Sequence, residues 1–358
     1  MDYARSSFCL SDIKSIVIFR ALLLGDLLCA GPAFLSLRAA MPQARITLVS
    51  LPWARALRSY MPGCFDDFIE FPGYPGFPER KMDPTRLPGF LREVQEQKYD
   101  LALQMQGNGY IANSLVAAFG ARRTGGYYLP GQYCPDRELC MVYPEKLPEI
   151  WRHLALMRHL GVTVNNDRLH FHVPEEDSQA LRELLKAHRI EQPYVCIHPG
   201  TNAEWRCWPV EHYAAVADIL AAEGFQVVVT GSAAERERAQ HVLEYMHSPA
   251  INLAGETTNL GVLGALIRDA SLTVCGDTGI SHLACAVDCP SVVVFMRSET
   301  EGWPPLDRIR HRLVCSISGV TEQMVIEEAL DLLHLARAPY SGPATGISAI
   351  SIFHQASI

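Results

Sequence analysis

Short, almost wholly apolar runs recur along the chain, each followed by a polar or glycine-bearing loop and then by a stretch with helical spacing. In the first half the runs are SIVIF (15–19), RITLVS (45–50) and YDLALQM (99–105). DLLCAGPAFLSLRAA (26–40), GNGYIANSLVAAFGA (107–121) and WRHLALMRHLGV (151–162) predict helices, the second of them after an initial turn. After HFHVPEEDS the alternation restarts, with apolar runs at 193–200, 225–232, 272–277 and 291–295. Amphipathic stretches at 210–224 and 260–270 separate them, and 321–337 reads as a closing helix. Strands that are apolar on both faces and alternate with helices predict parallel sheets covered on both sides. The restart divides the chain into an α/β unit over 1–173 and a second over 174–338, and a Ser/Gly/Ala-rich tail over 339–358 is expected to be loose. The Pro/Gly-rich stretch 71–89 is too long for a simple connector and is expected to be a functional flap.

Composition narrows the class. With 358 residues, 49% of them hydrophobic and 20% charged, the chain is of ordinary globular make-up and long enough for two domains. No apolar run approaches the ~18–20 residues of a membrane span, and the N-terminus lacks the apolar core of a leader, so a cytoplasmic protein is expected. Eleven cysteines without a C-x-x-C pair are expected to be reduced core thiols rather than zinc ligands or disulfides. The net charge of −8 hides an asymmetry, +3 over 1–173 and −11 beyond, which argues against a general nucleic-acid binder. The first-half arginines (Arg38, Arg45, Arg55, Arg58, Arg80, Arg86, Arg122 and Arg123) read either as a solvated surface or as a docking face for an anionic partner.

Doubly wound sheets bind ligands outside the carboxyl ends of their strands, so the loops after strands carry the candidate chemistry. RALLLGDLL lacks the glycines of a dinucleotide fingerprint, and the chain has no Walker A lysine. It places Gly25 and Asp26 at a helix start, where Asp26 is either an N-terminal capping carboxylate or a reactive group. HPGTNAEWRCWP sets Gly200, Thr201 and Asn202 near Arg206, a combination suited to phosphate oxygens. Gly231 and Ser232 suit either a nucleotide edge or a helix cap. CGDTGISHLACA places Asp277, Thr278, Gly279, Ser281 and His282 at a strand-to-helix junction. Free helix-start amides there favour a diphosphate; the alternative is a capped helix with a satisfied core histidine.

Taken together, IVIFRALLLGDLLCAGPAFLSLRAAMPQARITLV, HPGTNAEWRCWPVEHYAAVA, INLAGETTNLGVLGALIRDA and CGDTGISHLACAVDCPSVVVF resemble, in order, the blocks of glycosyltransferase family 9. That is the family of the ADP-heptose:lipopolysaccharide heptosyltransferases, and the resemblance covers roughly 14–337. It implies a GT-B fold: two Rossmann-like doubly wound domains facing across a cleft, the first on the acceptor side and the second holding the nucleotide-sugar donor. It also implies that the closing helix packs back toward the first domain. The implied activity is an inverting transfer of a sugar, by family default heptose from an ADP-linked donor, onto an anionic, lipid-linked glycan such as lipopolysaccharide core. Asp26 then falls at the position of the general base, and the other named residues at the donor site. Peripheral contact with the inner face of the membrane would follow from such an acceptor. No Asp-x-Asp motif is present, so no metal is expected to be obligatory, although Mg²⁺ could accompany the donor. Arg206 stands where the family usually has lysine, and Glu256 where lysine is common, which leaves nucleotide and sugar open. A nucleotide-sugar epimerase and a non-catalytic nucleotide-sugar binder share the same architecture and remain the alternatives.

Overall fold

The computed structural model describes residues 9–191, 193–201, 203–296 and 302–337; the tail over 339–358 and Asn202 lie outside them. The first unit runs β1 (Ser15–Phe19), α1 (Leu24–Ala40), β2 (Arg45–Ser50), α2 (Leu57–Tyr60), β3 (Asp67–Glu70), α3 (Leu87–Glu96), β4 (Leu101–Gln104), α4 (Ala112–Ala117), β5 (Arg123–Tyr128), β6 (Cys140–Val142) and α5 (Glu149–His159). The second runs α6 (Glu175–Ala187), β7 (Tyr194–His198), α7 (Val210–Ala222), β8 (Gln226–Val229), α8 (Arg236–Tyr245), β9 (Ala250–Asn252), α9 (Leu260–Asp269), β10 (Thr273–Gly276), α10 (Gly279–Ala286), β11 (Ser291–Phe295), β12 (His311–Cys315) and α11 (Glu322–Arg337).

Each unit contains a six-stranded parallel sheet, in order β3-β2-β1-β4-β5-β6 and β12-β11-β10-β7-β8-β9. Both orders reverse direction at a central pair, β1/β4 and β7/β10, which opens a crevice at the strand ends. The central strands are buried along nearly their whole length, as their unbroken apolar sequence requires. The strands that the hydrophobic pattern misses lie toward the sheet edges. β3 (DFIE), β5 (RTGGYY), β9 (AIN) and β12 (HRLVC) carry charges, glycines or too few residues to register as apolar runs.

The 71–89 stretch is a pinned wall. Phe71 and Phe77 pack edge-on against Phe19 at 5.0 and 5.5 Å, and Arg80 binds both Glu70 and the Phe71 carbonyl. Its last residues already belong to α3, where Pro88 occupies the first turn and sacrifices no intrahelical bond. The first-half arginines are largely committed within their own unit. Arg38, Arg45, Arg80, Arg86, Arg122 and Arg123 each pair with a carboxylate, and Arg55 lies over the Phe68 ring.

Val325, Ala329, Leu332 and Leu333 of α11 join the apolar cluster of the second unit, and the described part of the helix packs on α7, β11 and β12. The units are joined through α1 and α10. One continuous apolar cluster runs from Ile16 and Leu28 through Ile280 and Leu283 to Cys196 and Val228.

That seam is cut to glycine dimensions. A Cβ on Gly25 would lie 2.6 Å from His282 Cδ2 and 3.3 Å from Gly279 Cα. A Cβ on Gly279 would lie 3.1 Å from the Gly25 nitrogen. Alanine is intrinsically better than glycine in a helix by about 1 kcal/mol, whereas overpacking a filled site costs about 1–3 kcal/mol. Since the His282 ring is itself buried, the clash should win. Gly25→Ala is expected to lower the thermal midpoint; an equal or higher midpoint would show that the helices part without cost.

Candidate active site

Asp26 sits in the first turn of α1, where its carboxylate accepts a hydrogen bond from the Leu23 N–H (3.2 Å). It thus caps the helix, yet its side chain stays 15% exposed and lines the cleft between the units. Behind it lies Arg20, fully buried, 3.6 Å from the Asp26 carboxylate and 2.9 Å from that of Glu149. The Arg20 Nε also donates to the Asp26 carbonyl (2.9 Å), so one guanidinium fixes both the backbone and the charge of this residue.

Burial pushes the Asp26 carboxyl above the usual aspartate range; Arg20 pulls against that rise and the Glu149 charge adds to it. Burial works against the charged form of Glu149 too, but His153, Arg20 and Arg152 outweigh it and hold Glu149 well below the usual carboxylate range. The two carboxylates facing Arg20 are therefore driven in opposite directions, which leaves Asp26 the more basic of the pair.

Across the cleft, β10 delivers Asp277, and Thr278 caps α10 by accepting from the Ile280 N–H at 3.0 Å. Asp277 lies 3.5 Å from the Arg206 guanidinium. Burial raises the Asp277 carboxyl, with Arg206 opposing. Arg206 stacks over Trp205, and its Nε is buried without a hydrogen-bond partner among the described residues. Such a donor calls for an acceptor.

The cleft encloses about 810 Å³. It gathers Gly25, Asp26, Gly200, Thr201, Arg206, Ser232, Asp277, Thr278, Gly279 and His282 of the sequence-derived candidates. Ser281 does not face it: the hydroxyl is buried and donates to the Thr278 carbonyl (2.8 Å). Gly231 lies behind the lining, where a Cβ would come within 3.1 Å of Glu235 Cβ. The Thr201 hydroxyl is spent on a local turn, donating to the Ala203 carbonyl at 2.7 Å. Glu256 is not part of the lining and pairs with Arg236 and His188.

Several lining residues escaped the sequence reading. Glu235 reaches into the cleft because Gly200 leaves room: a Cβ there would stand 2.0 Å from Glu235 Oε1. Its other oxygen accepts from the Ser232 N–H (2.7 Å), a capping box that the S-x-x-E spacing of 232–235 does encode. Glu79, Trp53, Trp303 and His198 complete the wall. Arg20 directly follows an apolar strand and could have been flagged on that ground. Glu149 could not, since only the fold brings it from 129 residues away.

The sequence model of glycosyltransferase family 9 (heptosyltransferase) matches residues 89–334, well over half of the chain. The chain belongs to glycosyltransferase family 9. Among curated relatives, lipopolysaccharide heptosyltransferase 2 of Escherichia coli (strain K12) is 27% identical over 310 residues, covering 82% of this chain and 86% of its own. The solved structure of E. coli ADP-heptose LPS heptosyltransferase II superposes with a TM-score of 0.74 at 26% identity, over 91% of this chain and all of that one. A family 9 glycosyltransferase structure from Veillonella parvula DSM 2008 gives 0.76 at 22%, over 90% and 97%, and supports the fold. This family 9 protein is a glycosyltransferase with the two-unit GT-B architecture. Among the described residues, no helix is long and apolar enough to cross a membrane, and no group of three or more His, Cys, Asp or Glu could hold a metal ion.

The site histidines set an acid limit on the fold. Burial holds His282 down to about 4 against the pull of Glu149, and burial together with Arg20 does the same for His153. Unfolded histidine titrates near 6.5, so between these values the unfolded chain binds protons that the folded enzyme refuses. Their contribution to stability is complete above about 6.5 and is lost as pH falls toward about 4. The thermal midpoint should drop across that window, and His282→Gln should flatten the drop; the same slope in the variant would mean that His282 protonates freely in the folded enzyme.

Proposed function

We propose that this glycosyltransferase moves heptose from an ADP-linked donor onto a lipopolysaccharide core acceptor with inversion at the anomeric carbon, and that Asp26 is the general base. The observation that carries the reading is the placement of Asp26: a partly exposed carboxylate with a raised pKa, across the cleft from Arg206, Asp277 and the start of α10. The printed activities of the E. coli relatives support the choice of donor and acceptor class.

In the proposed step the acceptor hydroxyl oxygen attacks the anomeric carbon while Asp26 takes its proton. The bond from that carbon to the diphosphate breaks, and the electron pair leaves on the diphosphate. Arg20 holds Asp26 in place without competing for the proton, since a guanidinium stays charged. The growing negative charge is met by the free Arg206 Nε–H and by the positive end of α10. Arginine in place of the family's usual lysine adds a second donor edge, with which it can hold Asp277 and a phosphate oxygen together. On this reading no divalent ion is needed for charge neutralisation. Glu235 offers a carboxylate oxygen to the ribose hydroxyls. Gly25, Gly200, Gly231 and Gly279 make room for the lining, and Thr278 and Ser281 hold the α10 start rather than the ligand. A simple binder would have no use for a basic carboxylate in the cleft, and an epimerase, which also needs a base, would act on the donor with no acceptor present.

Calorimetric titration with ADP, UDP and GDP, each with and without Mg²⁺, should show ADP bound most tightly and little effect of the ion. Preference for UDP or GDP would discard the ADP-heptose donor, and no binding by any would sink the donor site. Arg206→Ala should weaken ADP binding by about 1.5–3 kcal/mol, the range for a hydrogen bond to a charged group. Asp26→Asn should bind ADP normally and lose about a hundredfold or more in transfer. The acid limb of the wild-type rate should lie above the ~3.9 of a free aspartate, because the base works only when deprotonated. Transfer at the wild-type rate by Asp26→Asn would remove it as the base.

A further inference from the structure

A second cavity, of about 690 Å³, opens on the first unit alone and joins the cleft through Leu22, Pro78 and Glu79, which line both. Its remaining wall comes from Gly76 and Phe77, from the loop after β4 up to Ala112, and from Leu129 and Gln132 after β5. Among the described residues, lysine and arginine are absent from this wall, and its single charge is the Glu79 carboxylate. Gln106 fixes that carboxylate: the Ala21 N–H donates to Gln106 Oε1 (2.9 Å), which orients the amide so that Nε2 donates to Glu79 Oε1 (3.0 Å). Ala21 belongs to the loop that leads into Asp26, so Glu79 and Asp26 are held by one segment of backbone. The other Glu79 oxygen, Oε2, is buried and has no hydrogen-bond partner among the described residues. A carboxylate oxygen in that state wants a donor, and nothing in the wall supplies one.

Sugar hydroxyls are such donors, whereas phosphate and carboxylate groups are not. Asn108 and Gln132 add neutral polar groups to the wall, and Tyr110 at its rim is 61% exposed, a ring face open for a pyranose to lie against. The first-unit arginines that could have met an anion are absent from this wall and mostly bound to carboxylates of their own unit. Resting on the glycosyltransferase reading above, we infer that this cavity is an acceptor subsite for an uncharged sugar unit. Glu79 is its specificity-determining residue: it accepts a hydroxyl of that unit and turns away the same sugar when phosphorylated. Any phosphates of the acceptor lie outside the cavity. Glu79 binds and positions; it takes no proton in the transfer.

The test uses two deacylated lipopolysaccharide core oligosaccharides, alike except that the terminal sugar of one carries a phosphate. Saturation-transfer NMR reads their contact with the intact protein without any turnover, and ADP release from ADP-heptose reads transfer. Wild type should contact and use the uncharged oligosaccharide and discriminate against the phosphorylated one. Glu79→Gln should raise KM for the uncharged acceptor about tenfold, the equivalent of 1.4 kcal/mol, with kcat and ADP affinity little changed, and should narrow the discrimination. Tyr110→Ala, at an exposed position that threatens no core, should also raise KM. Equal use of both oligosaccharides by wild type, or an unchanged KM in Glu79→Gln, would overturn the inference. ADP binding without transfer to either oligosaccharide would count against the proposed function alone; the NMR contacts then decide the subsite. Contact with the uncharged oligosaccharide that weakens in Glu79→Gln supports it, and no contact in wild type overturns it.

Discussion

The structure depends on the contact of two helix starts across the units, α1 at Gly25 and α10 at Gly279. Both helices point their positive ends into the same cleft, an arrangement that is repulsive when nothing lies between them. Each end carries its own partial remedy. Asp26 occupies the first turn of α1, and Asp277 stands just ahead of α10. Neither cancels the field, and a diphosphate is the kind of ligand that would. The absence of side chains at Gly25 and Gly279 is what lets Asp26 of one unit face Arg206 and the α10 start of the other across one cleft.

Behind that contact lies a buried charge cluster, and its internal order explains the reactivity of the front. Arg20 faces two carboxylates, but only Glu149 also receives Arg152 and His153. Glu149 is thereby saturated, while Asp26 shares Arg20 from a greater distance and faces the cleft. Burying such charges is costly unless each is paired, and the cluster meets that requirement with one member left partly open to solvent. Tyr127 extends the cluster, with its hydroxyl 3.0 Å from the His153 ring.

The sheets were legible wherever strands were buried on both faces, because β1, β7, β8 and β10 carry polar side chains only at their ends. Toward the sheet edges, strands mix charges and glycines with apolar residues, and their pattern merges with that of loops. Site residues followed the same division. Asp26, Arg206, Asp277 and His282 were legible because each lies within a few residues of a strand end, where doubly wound sheets collect ligands. Glu79, Glu149 and Trp303 were not, since each arrives from a loop or helix start whose sequence looks like any surface segment. The apolar stripe of α11 showed that it must pack but not on which neighbour, and the described part of the helix settles on α7 and the β11–β12 edge.

The apolar cluster that runs through α1 and α10 without a break has a consequence for inheritance. GT-B proteins are often pictured as two modules joined by a hinge, which suggests that halves can be exchanged between relatives. In this chain the interior of one half is finished by the other: Gly25 is shaped to His282, and Ile280 and Leu283 belong to the same core as Ile16 and Leu28. A chimera assembled from two family members would have to match these surfaces to each other, and any mismatch would fall at the seam beside Asp26. A change on α1 at this seam therefore calls for a matching change on α10, and exchanging the second unit alone would disturb the setting of Asp26 as well.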